Sequence, residues 1–305
     1  MMDPVDALRT LGGSARYKEL VGVVSRRALG RACDRGTVRR SGKTYFVVGS
    51  DEERVLATRL RAVRSHVTAA AYHRLALPPR SGVQIDLTVP WKARRTSVPE
   101  EVDLHYRDLP AEAITGDVTS LVQTVVDCLR DEPLRIALSV GDSALAEGRV
   151  TRATLRAYVA QLRGPGSARV RQRIELLDGR AANAFESCAR AILLEAGLLG
   201  FEPQVTIRHR GTFVGRVDLA HRQLRVVIEC DGFEHHGERD RWVQDILRHT
   251  SLMAAGWRPL RFTWEQVMFA PDWVLERVVE TISGDAGDRA LSTAQRLCRA
   301  RAAAA

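Results

Sequence analysis

The apolar positions of the first 50 residues predict three short helices followed by a pair of strands. Residues 4–12 and 15–21 each show the apolar spacing of a short amphipathic helix. A third helix is predicted between Ser25, whose hydroxyl can cap a free backbone N–H, and Gly36, which can end the helix. Its apolar residues recur at helical spacing: Ala28, Leu29, Ala32 and Cys33. The segments "TVRR" and "TYFVV" flank the turn "SGK" and predict two strands.

This order of elements predicts a winged helix-turn-helix domain over residues 1–55. Residues 16–49 carry nine Lys or Arg residues against two acids. In such a motif one helix lies in the major groove of DNA, and basic side chains elsewhere contact phosphates. The side chains predicted to contact DNA are Arg26, Arg27 and Arg31 on the helix, and Arg39, Arg40 and Lys43 on the wing. The alternative is a solvated basic face on a protein-binding winged helix.

Residues 56–165 mix two kinds of periodicity and predict an α/β middle domain. The helical segments are "LATRLRAV", "SHVTAAAYHRLAL", "TSLVQTVVDCLRD", "LRIALSVGDSALAEG" and "TRATLRAYVAQL", and the strand segments are "GVQIDLTVP" and "EVDLHYRDL". We interpret His66, His73 and His105 as structural or surface residues, because none has a cysteine or carboxylate at metal-ligand spacing. The segment "RGPGS" at 163–167 predicts a domain boundary.

Residues 168–283 predict a third compact domain. A helix, "ANAFESCARAILLEAGL", precedes three strands, "PQVTIRH", "FVGRVDLA" and "LRVVIEC". A polar helix, a strand "RPLRFT" and a last helix "DWVLERVVETI" follow. Residues 284–305 are rich in Arg and Ala and predict a flexible tail.

Composition and the N-terminal residues indicate the class of binding partner and the location of the protein. The formal net charge of +9 favours a polyanionic partner. The sequence has no run of about 18 apolar residues, so no membrane-spanning helix is predicted. The segment "MMDPVDALRTL" does not have the pattern of a signal peptide. The five cysteines are far apart and odd in number, which fits neither a disulfide framework nor a zinc site. We therefore expect a cytoplasmic protein that binds no membrane.

Two carboxylates at strand ends predict a metal site. A hairpin loop at "HRQL" would place position 218 opposite position 227. Asp218 and Glu229 would then be diagonal neighbours, with Cα atoms roughly 7–8 Å apart. One divalent cation can bridge two carboxylates at that distance and offset their repulsion. Taken singly, Asp218 is ordinary at a strand end, and Glu186 could pair with Arg190 on a helix surface.

The order of the C-terminal segments resembles the PD-(D/E)XK nuclease superfamily, and most closely its very-short-patch-repair endonuclease-like group. The resemblance rests on a helix carrying Glu186, followed by "VGRVDLA", "VVIECDGFEHH" and "RDRWVQDILRHTSLMAAGWRPLRFTW". It implies a restriction-endonuclease-like fold with a mixed central sheet flanked by helices. It also implies hydrolysis of DNA phosphodiester bonds with the aid of Mg²⁺ or Mn²⁺.

The resemblance also implies the role of each acidic residue. Asp218 and Glu229 match the metal-binding acids, and the carbonyl of Cys230 would complete the metal shell. Glu186 matches a helical acid that reaches the metal through water. Asp231 stands where the superfamily usually has lysine, which is the main departure. An aspartate there would orient a water molecule or bind a second metal ion.

Basic and polar residues after the third strand have implied roles as well. His235 and His236 match the paired histidines of the short-patch-repair relatives, and one of them would act as general base or acid. Taken alone, they would be a polar turn. Asp245 and Arg248 would support the site from the next helix, or they would form only a surface ion pair.

The N-terminal half has a resemblance of its own, which leaves two hypotheses open. The segments "VSRRALGRACDRGTVRRSGKTYFVV" and "SHVTAAAYHRLALPP" resemble abortive-infection antitoxins of the AbiEi type. The first hypothesis is a Mg²⁺-dependent DNA endonuclease or nickase docked by its winged helix. The alternative is a non-catalytic DNA-binding regulator or antitoxin with a degenerate nuclease fold. Both are compatible with a homodimer and with a toxin partner.

Overall fold

The N-terminal residues form three helices and a three-stranded sheet in the computed structural model, which describes residues 1–80, 82, 84–94, 98–232 and 239–282. The helices are α1 (Pro4–Thr10), α2 (Tyr17–Leu20) and α3 (Arg26–Asp34), and the strands are β1 (Ser14–Arg16), β2 (Val38–Ser41) and β3 (Thr44–Val47). Strand β3 lies between β1 and β2 and is antiparallel to both. The hydroxyl of Ser25 accepts the Ala28 N–H at 3.1 Å, and Gly36 has a φ of 71°, which confirms both predicted ends of α3.

The predicted helix over 15–21 is wrong in its first part. Ala15 and Arg16 pair with Tyr45 and Thr44 as strand residues, and α2 begins only at Tyr17. Ala15 is buried in the apolar core of this module, where pairing along β3 outweighs local helix preference.

A second sheet and three helices follow as far as residue 131. The helices are α4 (Glu52–Leu60), α5 (His66–Tyr72) and α6 (Leu121–Asp131), with a 3₁₀ turn at Ala111–Ala113. The strands are β4 (Val63–Arg64), β5 (Ile85–Val89), β6 (Val102–Tyr106), β7 (Ile114–Thr115) and β8 (Val118–Thr119), in the order β6-β5-β4-β8-β7. The predicted middle-domain helix at residue 56 begins earlier, because Asp51 caps it by accepting the N–H groups of Glu53 and Arg54.

The sheet brings His105 to a buried carboxylate. His105 Nε2 lies 3.3 Å from Asp86 Oδ1, and Arg80 Nη1 lies 2.7 Å from Asp86 Oδ2. The prediction that no carboxylate lies at metal-ligand spacing from these histidines is wrong for His105, because β5 and β6 pair in parallel and align residues distant in sequence. The interpretation of His66, His73 and His105 as structural or surface residues stays a prediction. Asp86 is fully buried, and His105 and Arg80 give its carboxylate the partners that burial requires.

Three helices precede the C-terminal sheet. They are α7 (Leu134–Ala146), α8 (Arg152–Ala160) and α9 (Ser167–Leu176). Helix α9 was not predicted from the sequence. Its apolar residues Val170 and Ile174 are spaced by one turn and are buried, whereas most of its other positions are polar.

The C-terminal sheet is mixed and flanked by helices, as predicted. Its helices are α10 (Ala184–Glu195), α11 (Arg239–Ala254), α12 (Trp264–Phe269) and α13 (Pro271–Ile282), and its strands are β9 (Phe201–His209), β10 (Thr212–His221), β11 (Val226–Asp231) and β12 (Arg258–Thr263). The strand order is β12-β11-β10-β9, with β11 and β12 parallel and the other pairs antiparallel.

Alternate residues of the strands enter two apolar cores, one on each face of the sheet. Leu219 and Ile228 pack with α10, α12 and α13, whereas Val227 packs with Leu252 of α11. Both faces are therefore covered by helices. Polar side chains gather where the interior of β10, at Asp218, meets the C-terminal part of β11, at Glu229, so Asp218 lies within its strand and not at the predicted strand end.

Contacts divide the chain into two compact units. The first contains residues 1–74 and 80–127, and the second contains residues 75–79 and the chain from residue 128 onward. The division falls inside the predicted middle domain. The domain boundaries at 1–55, 56–165 and 168–283 stay predictions, and the predicted tail at 284–305 lies outside the described residues. Within the described ranges, no helix is both long and apolar enough to cross a membrane.

A buried ion pair joins α7 to α10. Arg190 Nη2 lies 2.7 Å from Asp142 Oδ2, and their side chains are 6% and 1% exposed. The other Asp142 oxygen accepts the Asp178 N–H at 2.7 Å, and the Ser187 hydroxyl donates to Oδ2 at 2.8 Å. Arg190 is thus committed to Asp142, and the alternative that it pairs with Glu186 on a solvated helix surface is wrong.

Removal of Asp142 should therefore destabilise the fold strongly. We expect Asp142→Ala to lower the free energy of unfolding by about 3–5 kcal/mol, because Arg190 would stay buried without its counter-ion. Urea denaturation followed by circular dichroism measures the change. The matched control is Glu175→Ala, which breaks an exposed ion pair with Arg156 and should give no resolved change. Equal small losses in the two variants would contradict the expectation.

Candidate active site

Asp218 and Glu229 lie on neighbouring strands, but in a different register from the predicted one. Val227 pairs with Ala220, so the predicted pairing of 218 with 227 is wrong by two residues. The same register, continued by one residue beyond Leu219 and Ile228, places Asp218 opposite Glu229. The turn is responsible, because Arg225 takes a left-handed φ of 53° and delays the start of β11.

Glu186, Asp218 and Glu229 form a group of acids that we call the acidic cluster. Hydrogen bonds fix the carboxylate of Asp218 at its centre. Its Oδ2 accepts the backbone N–H of Cys230 at 2.8 Å, which ties β10 to β11. Its Oδ1 accepts the side-chain amide of Gln204 at 3.3 Å. The same amide donates to Glu186 Oε2 at 2.9 Å. Gln204 thus connects two acids from separate elements, and sequence reasoning did not single it out.

Glu186 is held rigidly in the first turn of α10. Its backbone N–H donates to the capping side chain of Asn183 at 3.0 Å, and its carboxylate accepts the Ala182 N–H at 2.9 Å. The residue is only 3% exposed. Its carboxylate therefore holds the residues that precede the helix and at the same time faces Gln204.

Burial and crowding of like charges disfavour the charged forms of these acids. Burial raises the pKa of Glu229 to about 7, with Arg248 opposing the shift and Asp218 adding to it. Burial likewise raises the pKa values of Asp218 and Glu186. The Cys230 thiol has its pKa raised well above the ordinary range, by burial and then by the nearby carboxylates. The cluster is an acidic site that a cation would stabilise.

Two arginines line one side of the acids. Arg248 of α11 lies 3.0 Å from Glu229 and 3.0 Å from Asp245. Arg261 of β12 binds both oxygens of Asp231, at 2.7 and 2.9 Å, and reaches Asp245 at 2.6 Å. The alternative that Asp245 and Arg248 form only an isolated surface pair is wrong. These side chains form one continuous network from Glu229 to Asp231.

Local backbone structure allows this network to form. Gly215 of β10 leaves room for Arg248, because a Cβ at 215 would lie 3.2 Å from Arg248 Cδ. Arg261 pairs with Glu229 in the parallel ladder of β11 and β12, which brings it beside the site. Sequence reasoning did not identify Arg261, since its position depends on that long-range pairing.

The other site residues predicted from the sequence are two histidines and six basic side chains of the N-terminal module. His235 and His236 lie outside the described residues. The six predicted DNA-contacting side chains, Arg26, Arg27, Arg31, Arg39, Arg40 and Lys43, are all exposed in the N-terminal module. Arg40 donates to the Gly42 carbonyl at 2.7 Å and lies 5.7 Å from the ring centroid of Tyr45.

Comparison with known proteins identifies the class of this domain. Residues 185–282 match REase_MTES_1575, a family of restriction endonuclease-like proteins. The C-terminal domain is restriction endonuclease-like. The match begins at the start of α10 and ends with α13, so it contains the acids and arginines of the cluster.

Two curated relatives come from Mycobacterium tuberculosis. "Uncharacterized protein MT2308" of strain CDC 1551 / Oshkosh and "Uncharacterized protein Rv2248" of strain ATCC 25618 / H37Rv are each 30% identical to this chain over 161 residues. The similarity covers 52% of this chain and 59% of each relative. The chain thus spans a little over half the length of these relatives.

The donor set of the restriction endonuclease-like domain fits a divalent cation. Glu229 Oε1 is buried and accepts no hydrogen bond from the part of the chain that the structure describes, although Arg248 Nη1 lies 3.0 Å away. Carboxylate and carbonyl oxygens are the ligands that Mg²⁺ prefers. Asp218, Glu229 and the Cys230 carbonyl offer such oxygens on adjoining strands.

The raised pKa of Glu229 should make the stability of the restriction endonuclease-like domain depend on pH. Between the ordinary value of 4.5 and about 7, the folded protein retains a proton that the unfolded chain has lost. The free energy of unfolding should therefore fall as pH rises through this window, by about 3 kcal/mol at most. Thermal denaturation from pH 4 to 8 in EDTA measures this.

Glu229→Gln should remove this part of the pH dependence, since the amide does not titrate. The exposed acid Glu265 supplies the control, and Glu265→Gln should retain the wild-type profile. Added Mg²⁺ should stabilise the wild type more at pH 8 than at pH 5. Identical profiles for wild type and Glu229→Gln would show that Glu229 does not titrate in this window.

Proposed function

We propose that the restriction endonuclease-like domain hydrolyses phosphodiester bonds in DNA, as a metal-dependent endonuclease or nickase. The observation that carries this proposal is the convergence of Glu186, Asp218 and Glu229 from three separate elements, with Gln204 donating to two of them. Buried carboxylates are costly without a compensating cation or proton, so such a set favours a functional role over a structural one. The family match over residues 185–282 supports the same reaction class.

A divalent cation, Mg²⁺ or Mn²⁺, would be held by Asp218, Glu229 and the carbonyl of Cys230. When bound, it would supply a water molecule of lowered pKa and positive charge beside the scissile phosphate. Glu186, fixed by Asn183 and Gln204, would orient a water molecule at the edge of the site. These roles use the rigidity that the hydrogen bonds give to each carboxylate.

The arginine network would supply the positive charge that a lysine at position 231 would otherwise provide. Arg248 and Arg261 each carry a permanent charge and several N–H donors, which suit phosphate oxygens. Asp231 has both oxygens bound by Arg261, so we assign it as a positioning residue for that guanidinium. His235 and His236 stay predicted proton-transfer residues.

The N-terminal module would dock the enzyme on DNA as a winged helix. Its element order α1-β1-α2-α3-β2-β3, with β3 central in the sheet, supports this assignment. Arg26, Arg27 and Arg31 lie exposed on α3 and would reach the major groove. The resemblance to AbiEi-type antitoxins is compatible with the same docking role.

Removal of the metal-binding acids should abolish cleavage. Supercoiled plasmid incubated with the wild type and Mg²⁺ or Mn²⁺ should become nicked or linear, and EDTA should prevent this. Asp218→Ala/Glu229→Ala should lose at least about 100-fold in rate, because neither carboxylate would remain to hold the cation. The matched control is Glu265→Ala/Glu276→Ala, which removes two exposed acids of the same domain. Equal cleavage by both double variants would refute the nuclease proposal, and DNA binding without cleavage would favour the non-catalytic regulator.

The wing should contribute phosphate contacts that depend on salt. Arg39→Ala/Arg40→Ala should reduce the slope of log binding constant against log salt by about 2, since each lost phosphate contact removes about 0.9. Fluorescence anisotropy of a labelled duplex in EDTA measures this slope. Arg9→Ala removes an exposed cation from α1 and should leave the slope unchanged. A wing variant with the wild-type slope would exclude docking through β2 and β3.

A further inference from the structure

The hairpin of β9 and β10 carries an exposed basic face whose position the proposed catalytic roles do not explain. Its two-residue turn is formed by Arg210 and Gly211, with φ values of 49° and 82°, and His209 pairs with Thr212 to close it. Both turn residues have positive φ, which is typical of a tight hairpin that continues the twist of its strands. The tip is therefore a well-defined extension of the sheet that carries Asp218.

A β-bulge in this hairpin aligns three side chains on one face. Phe213 is opposite Arg208, whereas two residues later Gly215 is opposite Ile207, so the register shifts at Val214. Arg216 is consequently opposite Thr206. Because alternate residues of β9 share a face, Arg208, Phe213 and Arg216 all lie on the same side. Without the bulge, Arg216 and Phe213 would point to opposite sides of the sheet.

The two sides of this hairpin differ sharply in burial. Val205, Ile207 and Val217 point to the other side and are buried against α11. Arg208, Phe213 and Arg216 are exposed, and Phe213 retains 58% of its accessible surface. Neither arginine forms an ion pair with a carboxylate among the described residues. This surface, which we call the hairpin face, thus has an aromatic ring flanked by two cations.

The hairpin face leads directly to the acidic cluster. Asp218 follows Arg216 by two residues on β10, and the ladder places Gln204 opposite Asp218, where the two side chains are hydrogen bonded. Arg216 is near enough to Glu186 to oppose the rise in the pKa of that carboxyl. From the level of Arg208 to the level of Gln204 the strand rises about 13 Å. A chain of phosphates lying along this face would end at the carboxylates.

We propose that the hairpin face binds the sugar–phosphate backbone of the DNA strand that enters the acidic cluster. Arg208 and Arg216 bind successive phosphates through charge-assisted hydrogen bonds. Phe213 packs between them against the sugars or bases, a contact that does not depend on salt. This inference rests on the proposed function, because the acidic cluster defines the point toward which the bound DNA strand runs.

The competing explanation is that the arginines protect an edge strand from pairing with another molecule. Strand β9 is at the edge of the described sheet, and exposed cations at such edges commonly prevent aggregation. This explanation does not account for Phe213, since an exposed aromatic ring promotes association. The bulge does not decide between the two explanations, because bulges are themselves a common means of protecting sheet edges.

Anisotropy titrations of a labelled 20-base-pair duplex in EDTA, where no cleavage is expected, test the proposal with the full chain. Arg208→Ala/Arg216→Ala should weaken binding about tenfold at low salt and reduce the salt slope by about 2. Phe213→Ala should weaken binding by a similar factor without changing the slope. Arg222→Ala, at the opposite end of β10, and Leu199→Ala, an exposed apolar residue, are the matched controls and should bind as the wild type does.

Two results would overturn the proposal. One is wild-type affinity and slope for the hairpin variants, with melting temperatures that show them folded. The other is self-association of Arg208→Ala/Arg216→Ala on gel filtration with unchanged DNA affinity, which would establish edge protection instead. Plasmid cleavage in Mg²⁺ is scored separately. Cleavage by Asp218→Ala/Glu229→Ala at the wild-type rate would refute the nuclease reaction while leaving the binding result to stand.

Discussion

The burial of Glu229 beside Asp218 is the constraint on which the rest of the site depends. Neither carboxylate can stay charged in that position without a donor or a cation close to it. The Cys230 N–H and the Gln204 amide supply donors for Asp218, and Arg248 supplies a cation for Glu229. Because these partners come from β11, β9 and α11, the contacts of the two carboxylates connect these elements of the domain. The partners that these two carboxylates need are therefore also contacts between separate elements of the domain.

In the proposed nuclease, elements that are distant in sequence would compensate for the absence of a lysine at position 231. A lysine on β11 would bring one flexible charge to the site. Arg261 and Arg248 instead bring two planar guanidinium groups, each held by two acids. A guanidinium held in this way loses little further entropy when it binds a phosphate oxygen. An aspartate at 231 is thus consistent with an active site, provided that Arg261 accompanies it.

Features that depend on local chemistry could be predicted from the sequence. The Ser25 cap, the Gly36 helix end and the four strands around Asp218 and Glu229 follow from capping, backbone conformation and apolar alternation. Features that depend on long-range pairing could not. Strand β1 forms only because β3 offers an edge, and the register of β10 and β11 was set by the left-handed conformation of Arg225. The same limit explains why Gln204 and Arg261 were missed.

One backbone irregularity in strand β10 bears on both proposed functions of this domain. On one part of the strand, Gly215 allows Arg248 to cross and reach Glu229. One residue earlier, the bulge at Val214 rotates the hairpin so that Phe213 and Arg216 face the same way. A regular strand could not satisfy both requirements, because strict alternation would separate Phe213 from Arg216. The bulge fits the proposed ligand path, because it places Phe213 and Arg216 on one side of a strand that continues to Asp218.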